Sequence, residues 1–228
     1  MCGRFSFAPL RQILEERFDV KTDSSYKPRY NIAPTQKAAV ISNADPGIVS
    51  WYRWGLIPSW AKDPSIGNRL INARSETVNE KPAFRKAFRS KRCLVLSDGF
   101  YEWQKINAGQ KVPWFITLND EPLFAMAGLW DEWTDAEGKA IRSFTILTTS
   151  PNRFMKQIHH RMPVILPREA EKRWLEGATA DELQTLLKPC PEERMNGWPV
   201  STLVNSPAND FPEIRDPVEP AGKQTTLL

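Results

Sequence analysis

The chain has 228 residues, 41% hydrophobic and 25% charged, with a net charge of +4. That is ample for one large domain or two small ones with a real core, and the mild basic excess suits a polyanionic partner without requiring one. Three widely spaced cysteines speak against a disulfide scaffold or a zinc box, and no run approaches the roughly 18 apolar residues of a spanning helix.

The first predicted element is a helix over Phe7–Val20, with Pro9 in its first turn and Leu10, Ile13, Leu14 and Phe18 as one apolar stripe. Strand-like segments follow at 37–42 and 48–54. A second helix is expected over Pro82–Lys91, with Phe84, Ala87 and Phe88 on one face. Further strands are read at 92–97, 100–105, 112–118, 123–130, 141–149, 162–166 and 198–204, with helices over Arg168–Leu175 and Ala180–Leu187. Asp98-Gly99 between 92–97 and 100–104 is the dipeptide that type I′ turns prefer, which predicts a hairpin there. Strands outnumber helices and do not alternate with them. The expected class is α+β, with a mainly antiparallel sheet or distorted barrel and helices around it. A domain over 1–216 and a loose polar tail over 217–228 complete the expectation.

Cys2 is the first candidate for chemistry. A small residue after the initiator lets Met1 be trimmed, leaving an α-amine and a thiol on adjacent carbons. Their reference pKa values, ~7.7–8.0 and ~8.5, leave both partly nucleophilic at neutral pH. Such a 1,2-aminothiol condenses with an aldehyde and closes a thiazolidine ring, or it attacks an acyl group. Glu102 lies among aromatics in Phe100-Tyr101-Glu102-Trp103. Pointing inward it would titrate near neutrality as a general acid/base; pointing outward it is solvated.

The only histidines, His159 and His160, are adjacent at a loop-to-strand junction. Extended geometry would turn them to opposite sides, so at most one is expected to work in a pocket, and no third ligand suggests a metal. Asn72 and Arg74 sit in Asn72-Ala73-Arg74-Ser75-Glu76-Thr77, where an amide can orient an amine and a guanidinium can grip phosphate. Trp51-Tyr52-Arg53-Trp54, continuing to Trp60, interleaves aromatics with a cation, as unpaired nucleic acid requires, although core packing explains most tryptophans. No phosphate loop, dinucleotide fingerprint or other cofactor motif is present, so no cofactor and no metal are expected.

Six blocks in one order resemble a single family. Met1-Cys2-Gly3-Arg4-Phe5, Tyr30-Asn31-Ile32-Ala33-Pro34-Thr35 and Trp54-Gly55-Leu56-Ile57-Pro58-Ser59-Trp60 are similar to the SRAP family, the SOS-response-associated peptidase domain. So are Ile71–Thr77, Asp98–Trp103 and Ile158-His159-His160-Arg161-Met162-Pro163. The resemblance implies a single α+β domain around a twisted, barrel-like β core. It implies capture of abasic sites in single-stranded DNA as a thiazolidine crosslink on the N-terminal cysteine, with lyase and autoproteolytic or peptidase activities as companions.

On that resemblance Cys2 is the nucleophile and Asn72 positions it. Glu102 shuttles protons, and His159 assists opening of the sugar ring. Arg4, Arg74 and Arg161 fall on phosphate-binding positions, while Trp60 and Pro34 fall near a shelf for flanking bases. His160 stands where the family usually has an acidic residue, and Pro151 also departs from the usual residue. The expected partner is single-stranded DNA carrying abasic sites, met by a cytoplasmic monomer without a secretory signal or membrane segment. The readings left standing beside it are an N-terminal-cysteine hydrolase or amidotransferase, and a noncovalent single-stranded DNA-binding module.

Overall fold

A computed structural model describes residues 2–23, 26–107, 109–177 and 179–219. The chain begins with β1 (Arg4–Phe7), α1 (Arg11–Phe18), β2 (Arg29–Ile32), β3 (Lys37–Ser42), β4 (Asp45–Trp54) and β5 (Asn72–Arg74). It continues through α2 (Arg85–Ser90), β6 (Arg92–Ser97), β7 (Gly99–Asn107), β8 (Gln110–Leu118), β9 (Phe124–Thr134) and β10 (Ala140–Thr149). Then come α3 (Arg153–Lys156), β11 (Met162–Pro163), β12 (Ile165–Leu166), α4 (Arg168–Glu176), α5 (Ala180–Thr185) and β13 (Met195–Pro199).

Two layers carry the fold. One is an antiparallel sheet in the order β13-β8-β7-β1-β2. The other is a closed barrel: β4 pairs β3, β3 pairs β6, β6 pairs β9, β9 pairs β10, and β10 returns to β4. Of these five pairings only the β10–β4 closure is parallel, and β5 joins the same edge of β10 in the same sense. Closure removes the free edges that an open sheet would expose. Aromatic side chains join the layers, with Phe5 of β1 edge-on to Trp54 of β4 at 5.1 Å and Trp54 stacked on Phe144 of β10. The α+β class and barrel-like core expected from the sequence are therefore present.

One end of the barrel is built by substitution of strands. β10 pairs β4 as far as Phe144↔Trp54, and β5 then takes over at Ile146↔Asn72. On its other edge β10 parts from β9 after Ile146↔Gly128, and β11 enters at Thr148↔Pro163. Thr148 thus faces Arg74 on one side and Pro163 on the other. Asn72, Arg74 and the segment leading into β11 are delivered to the same barrel end.

Three local expectations are corrected. Strands 92–97 and 99–107 form no hairpin; β6 belongs to the barrel and β7 to the other sheet. Neither Asp98 nor Gly99 has the positive φ that a type I′ turn needs. Glycine is required at 99 for space, because a Cβ there would stand 2.2 Å from the Phe115 ring. The first helix starts at Arg11, after a strand that already contains Phe7, and it leaves Leu10 72% and Ile13 45% exposed while Leu14 is buried. The last expected strand, 198–204, is instead β13 ending at Pro199 and a short 3-10 turn over Thr202–Asn205. Pro217 bridges to Val200, and residues 220–228 of the expected tail lie outside the described residues.

Candidate functional site

The β1–β7 ladder runs Phe5↔Phe100 and Arg4↔Tyr101, so the residues before β1 run alongside Glu102. Cys2 is wholly buried there, with Sγ 3.8 Å from the Arg4 carbonyl oxygen. Burial, reinforced by the Glu102 charge, pushes the thiol pKa far up, so the sulfur keeps its proton at neutral pH. Asn72 opens β5 and donates from Nδ2 to the Cys2 carbonyl at 2.8 Å. Its Oδ1 is buried and has no hydrogen-bond partner among the described residues, leaving an acceptor at the site.

Glu102 points inward and is 2% exposed. Burial lifts its carboxyl pKa to about 7, against the pull of the chain's positive amino end. His159 follows α3 with Nδ1 3.8 Å from Glu102 Oε1. Nδ1 also lies 3.1 Å from both the backbone N–H and the carbonyl oxygen of Arg161, two contacts that call for opposite tautomers. Desolvation lowers the imidazole pKa to about 4, so at neutral pH the contact joins a neutral ring to a half-protonated acid and is no ion pair. The His160 ring lies beside that of His159, centroids 4.3 Å apart, and not on the opposite side as extended chain would place it. His160 is exposed.

The three arginines differ. Arg74 is exposed, and its guanidinium has no hydrogen bond or ion pair among the described residues. Arg4 donates from Nη1 to Asn31 Oδ1 and the Val204 carbonyl, both at 2.7 Å, and so ties the 202–205 turn to β1. Arg161 makes a two-point pair with Glu76 at 2.6 and 2.9 Å and donates to the Thr148 carbonyl. Trp60 is 56% exposed on a turn braced on both sides. Ser59 N–H donates to Asp131 at 2.8 Å, and Trp133 Nε1 donates to the Ala61 carbonyl at 2.7 Å. Pro34 lies in the β2–β3 turn, which is stitched to the end of β4 by Thr35 N–H to the Trp54 carbonyl.

Residues 1–207 match the family described as SOS response associated peptidase (SRAP). The chain belongs to the SRAP family. Abasic site processing protein YoaM of Bacillus subtilis is 45% identical over 222 residues, covering 95% of this chain and 98% of its own. Abasic site processing protein HMCES of Xenopus tropicalis is 34% identical over 220 residues, 82% of this chain and 65% of its own. A crystal structure of a protein from Bacteroides thetaiotaomicron superposes with a TM-score of 0.88 at 31% identity, covering 96% of this chain and 100% of that one.

In this SRAP chain Cys2, Asn72, Glu102 and His159 thus meet where the sheet abuts the barrel end. The arrangement offers a buried thiol, an amide acceptor, an acid titrating near 7 and a neutral imidazole. Among the described residues no group of three His, Cys, Asp or Glu side chains is placed to hold a metal. No helix among the described residues is long and apolar enough to cross a membrane. Sequence reasoning passed over Glu76 as a partner of Arg161 and Asp131 as the brace of the Trp60 turn. Both contacts span long sequence separations, 85 and 72 residues, and carry no local signal.

Proposed function

We propose that this SRAP protein captures abasic sites in single-stranded DNA as a covalent thiazolidine on Cys2, once Met1 is removed. The observation that carries the reading is Glu102, a buried carboxyl titrating near 7 beside Cys2, whose carbonyl Asn72 holds. Family membership and relatives named abasic site processing proteins support the same lesion as substrate.

The His159 imidazole hydrogen-bonds the sugar ring oxygen and favours the open aldehyde. The Cys2 amine adds to the aldehyde carbon, and the protonated Glu102 carboxyl lets the hydroxyl leave as water. The resulting iminium carbon is attacked by the thiol, whose proton passes to the Glu102 carboxylate. One aldehyde and one aminothiol become a thiazolidine and a water, with no redox partner. Because burial keeps the thiol protonated, the amine acts first. Arg74, exposed and unpaired, is the first phosphate contact; Arg4 and Arg161 hold the frame and reach phosphate only by exchanging their present partners. Trp60 and Pro34 stack the flanking bases. A cytoplasmic monomer suffices for this chemistry. Lyase cleavage is the side path from the same iminium when the thiol is missing, and peptidase action on a leader would use the same Cys2.

The test is a denaturing gel of Met1-free protein with a single-stranded oligonucleotide carrying one abasic site. A heat-stable shifted band is expected for wild type and none for Cys2→Ala or for protein retaining Met1. Cys2→Ser should give strand nicking in place of a stable band. No band from wild type with Met1 confirmed absent would overturn the proposal and favour amide hydrolysis, measured next with a glutamine substrate.

A further inference from the structure

Outside the Cys2 site, a groove of about 710 Å³ runs over β3, β4 and the β9–β10 hairpin. Its charged lining is Lys37, Arg53, Lys139 and Arg142 against a single acid, Glu132. Glu132 is taken by Arg142 at 2.7 Å, and Arg53 is fixed by the Gly55 carbonyl and Asn68 at 3.0 and 2.7 Å. Lys37 and Lys139 remain exposed, and their side-chain amines have no hydrogen bond or ion pair among the described residues.

The groove's position is as informative as its charge. Its rim includes Thr35, the residue after Pro34, held in a left-handed turn at φ 73°. Glu132 lies between Asp131 and Trp133, the two residues that brace the Trp60 turn. The groove therefore begins where both expected base-stacking residues end. Along β10, Arg142 stands six residues from Thr148 at the site end, about 20 Å at strand rise.

We infer that this groove binds the phosphodiester backbone of the DNA arm that leaves the lesion, as a second, sequence-independent contact several nucleotides from Cys2. The inference rests on the proposed DNA capture. Cations spaced along a trough with one neutralised acid suit a string of single negative charges, and the aromatics lining it give no open slot for a base, since Tyr52 is buried against Trp130 and the half-buried Trp51 is stacked on Tyr26.

The experiment compares wild type with Lys37→Ala/Lys139→Ala on two abasic oligonucleotides, one ending close to the lesion and one with long arms. Affinity is measured before crosslinking across a salt series. On long single-stranded arms the variant should lose about 1.4 from the slope of log K against log salt, about 0.7 per phosphate contact. On the short substrate both affinity and crosslinking should match wild type. Annealing a complement to the long arm shows whether the groove takes a duplex arm as well. Because both lysines are exposed, folding should be unaffected, and a charge-reversed Lys37→Glu/Lys139→Glu protein should enlarge the same effect. Equal slopes for wild type and both variants on long arms would overturn the inference, as would an equal loss on the short substrate. Absence of any crosslink by wild type on the short substrate would instead sink the Cys2 reading.

Discussion

Glu102 is the residue whose environment most directly sets the chemistry. With its pKa at about 7 and a reference α-amine at ~7.7–8.0, capture needs the acid protonated and the amine free. The crosslinking rate should therefore rise with pH to near 7, level off, and fall above 8. Glu102→Gln should lower the maximum and remove one limb, leaving a rate that only rises through the amine pKa, with noncovalent affinity retained. A bell that survives the substitution would assign the acid to another group. The same shift has a stability consequence. Folding favours the protonated carboxyl, so its contribution is complete below the ordinary value of 4.5 and is lost as pH rises through about 7. His159, depressed to about 4, acts in the opposite sense but is common to both proteins. The Tm of Glu102→Gln should match wild type near pH 4 and exceed it above pH 7. Arg74→Ala tests the other half of the site: weaker binding and a salt slope flatter by about 0.7, with the crosslinking rate of bound DNA unchanged.

At the scale of elements, most strands that became the barrel were legible because β3, β6, β9 and β10 carry continuous buried runs, mostly apolar; β6 reads Arg92-Cys93-Leu94-Val95-Leu96-Ser97 with every residue buried. Which sheet a strand joins was not legible. An Asp-Gly pair between two apolar runs signals a hairpin, yet here the chain crosses between layers, and the reason lies in Phe115, sixteen residues away from Gly99. Placing Phe7 in a helix hid β1, and with it the ladder that carries Cys2 past Glu102. Cys2, Glu102, Asn72 and the His159–His160 pair were candidates from their own chemistry, but the family resemblance assigned their roles and chose His159; local pattern alone left Glu102 free to face either way. Gly99→Ala puts the crossing to a test. A methyl 2.2 Å from the Phe115 ring must displace that ring or the β7 backbone, at a cost of about 1–3 kcal/mol. Denaturant unfolding should show the loss, and pairing it with Phe115→Leu should recover part of it. An undiminished midpoint in the single variant would mean the ring yields freely.

Across the whole molecule, the chain passes between the two layers again where β8 leads into β9, and a buried charge cluster sits on that passage. Glu121 accepts from Arg17 at 3.0 Å, Arg168 at 2.7 Å and Arg194 at 3.0 Å, while Glu171 accepts twice from Arg17. Arg17 belongs to α1, Arg168 and Glu171 to α4, and Arg194 immediately precedes β13, so three distant segments converge on the Glu121 side chain. Exposed pairs such as Lys172–Glu176, 80% and 64% exposed, contribute little at best. Arg17 and Glu171, at 9% each, belong to the other regime. Arg17→Met leaves Glu171 buried without its only described partner, and breaking such a pair costs about 3–5 kcal/mol. Glu171→Leu added to it should return much of that loss, since removing both charges also removes their desolvation. None of these residues touches Cys2, Asn72, Glu102 or His159. The variant should lower the denaturant midpoint sharply while crosslinking by the folded protein proceeds at the wild-type rate. A slowed crosslink with stability intact would instead mean that the brace sets the seam in which Cys2 and Glu102 meet.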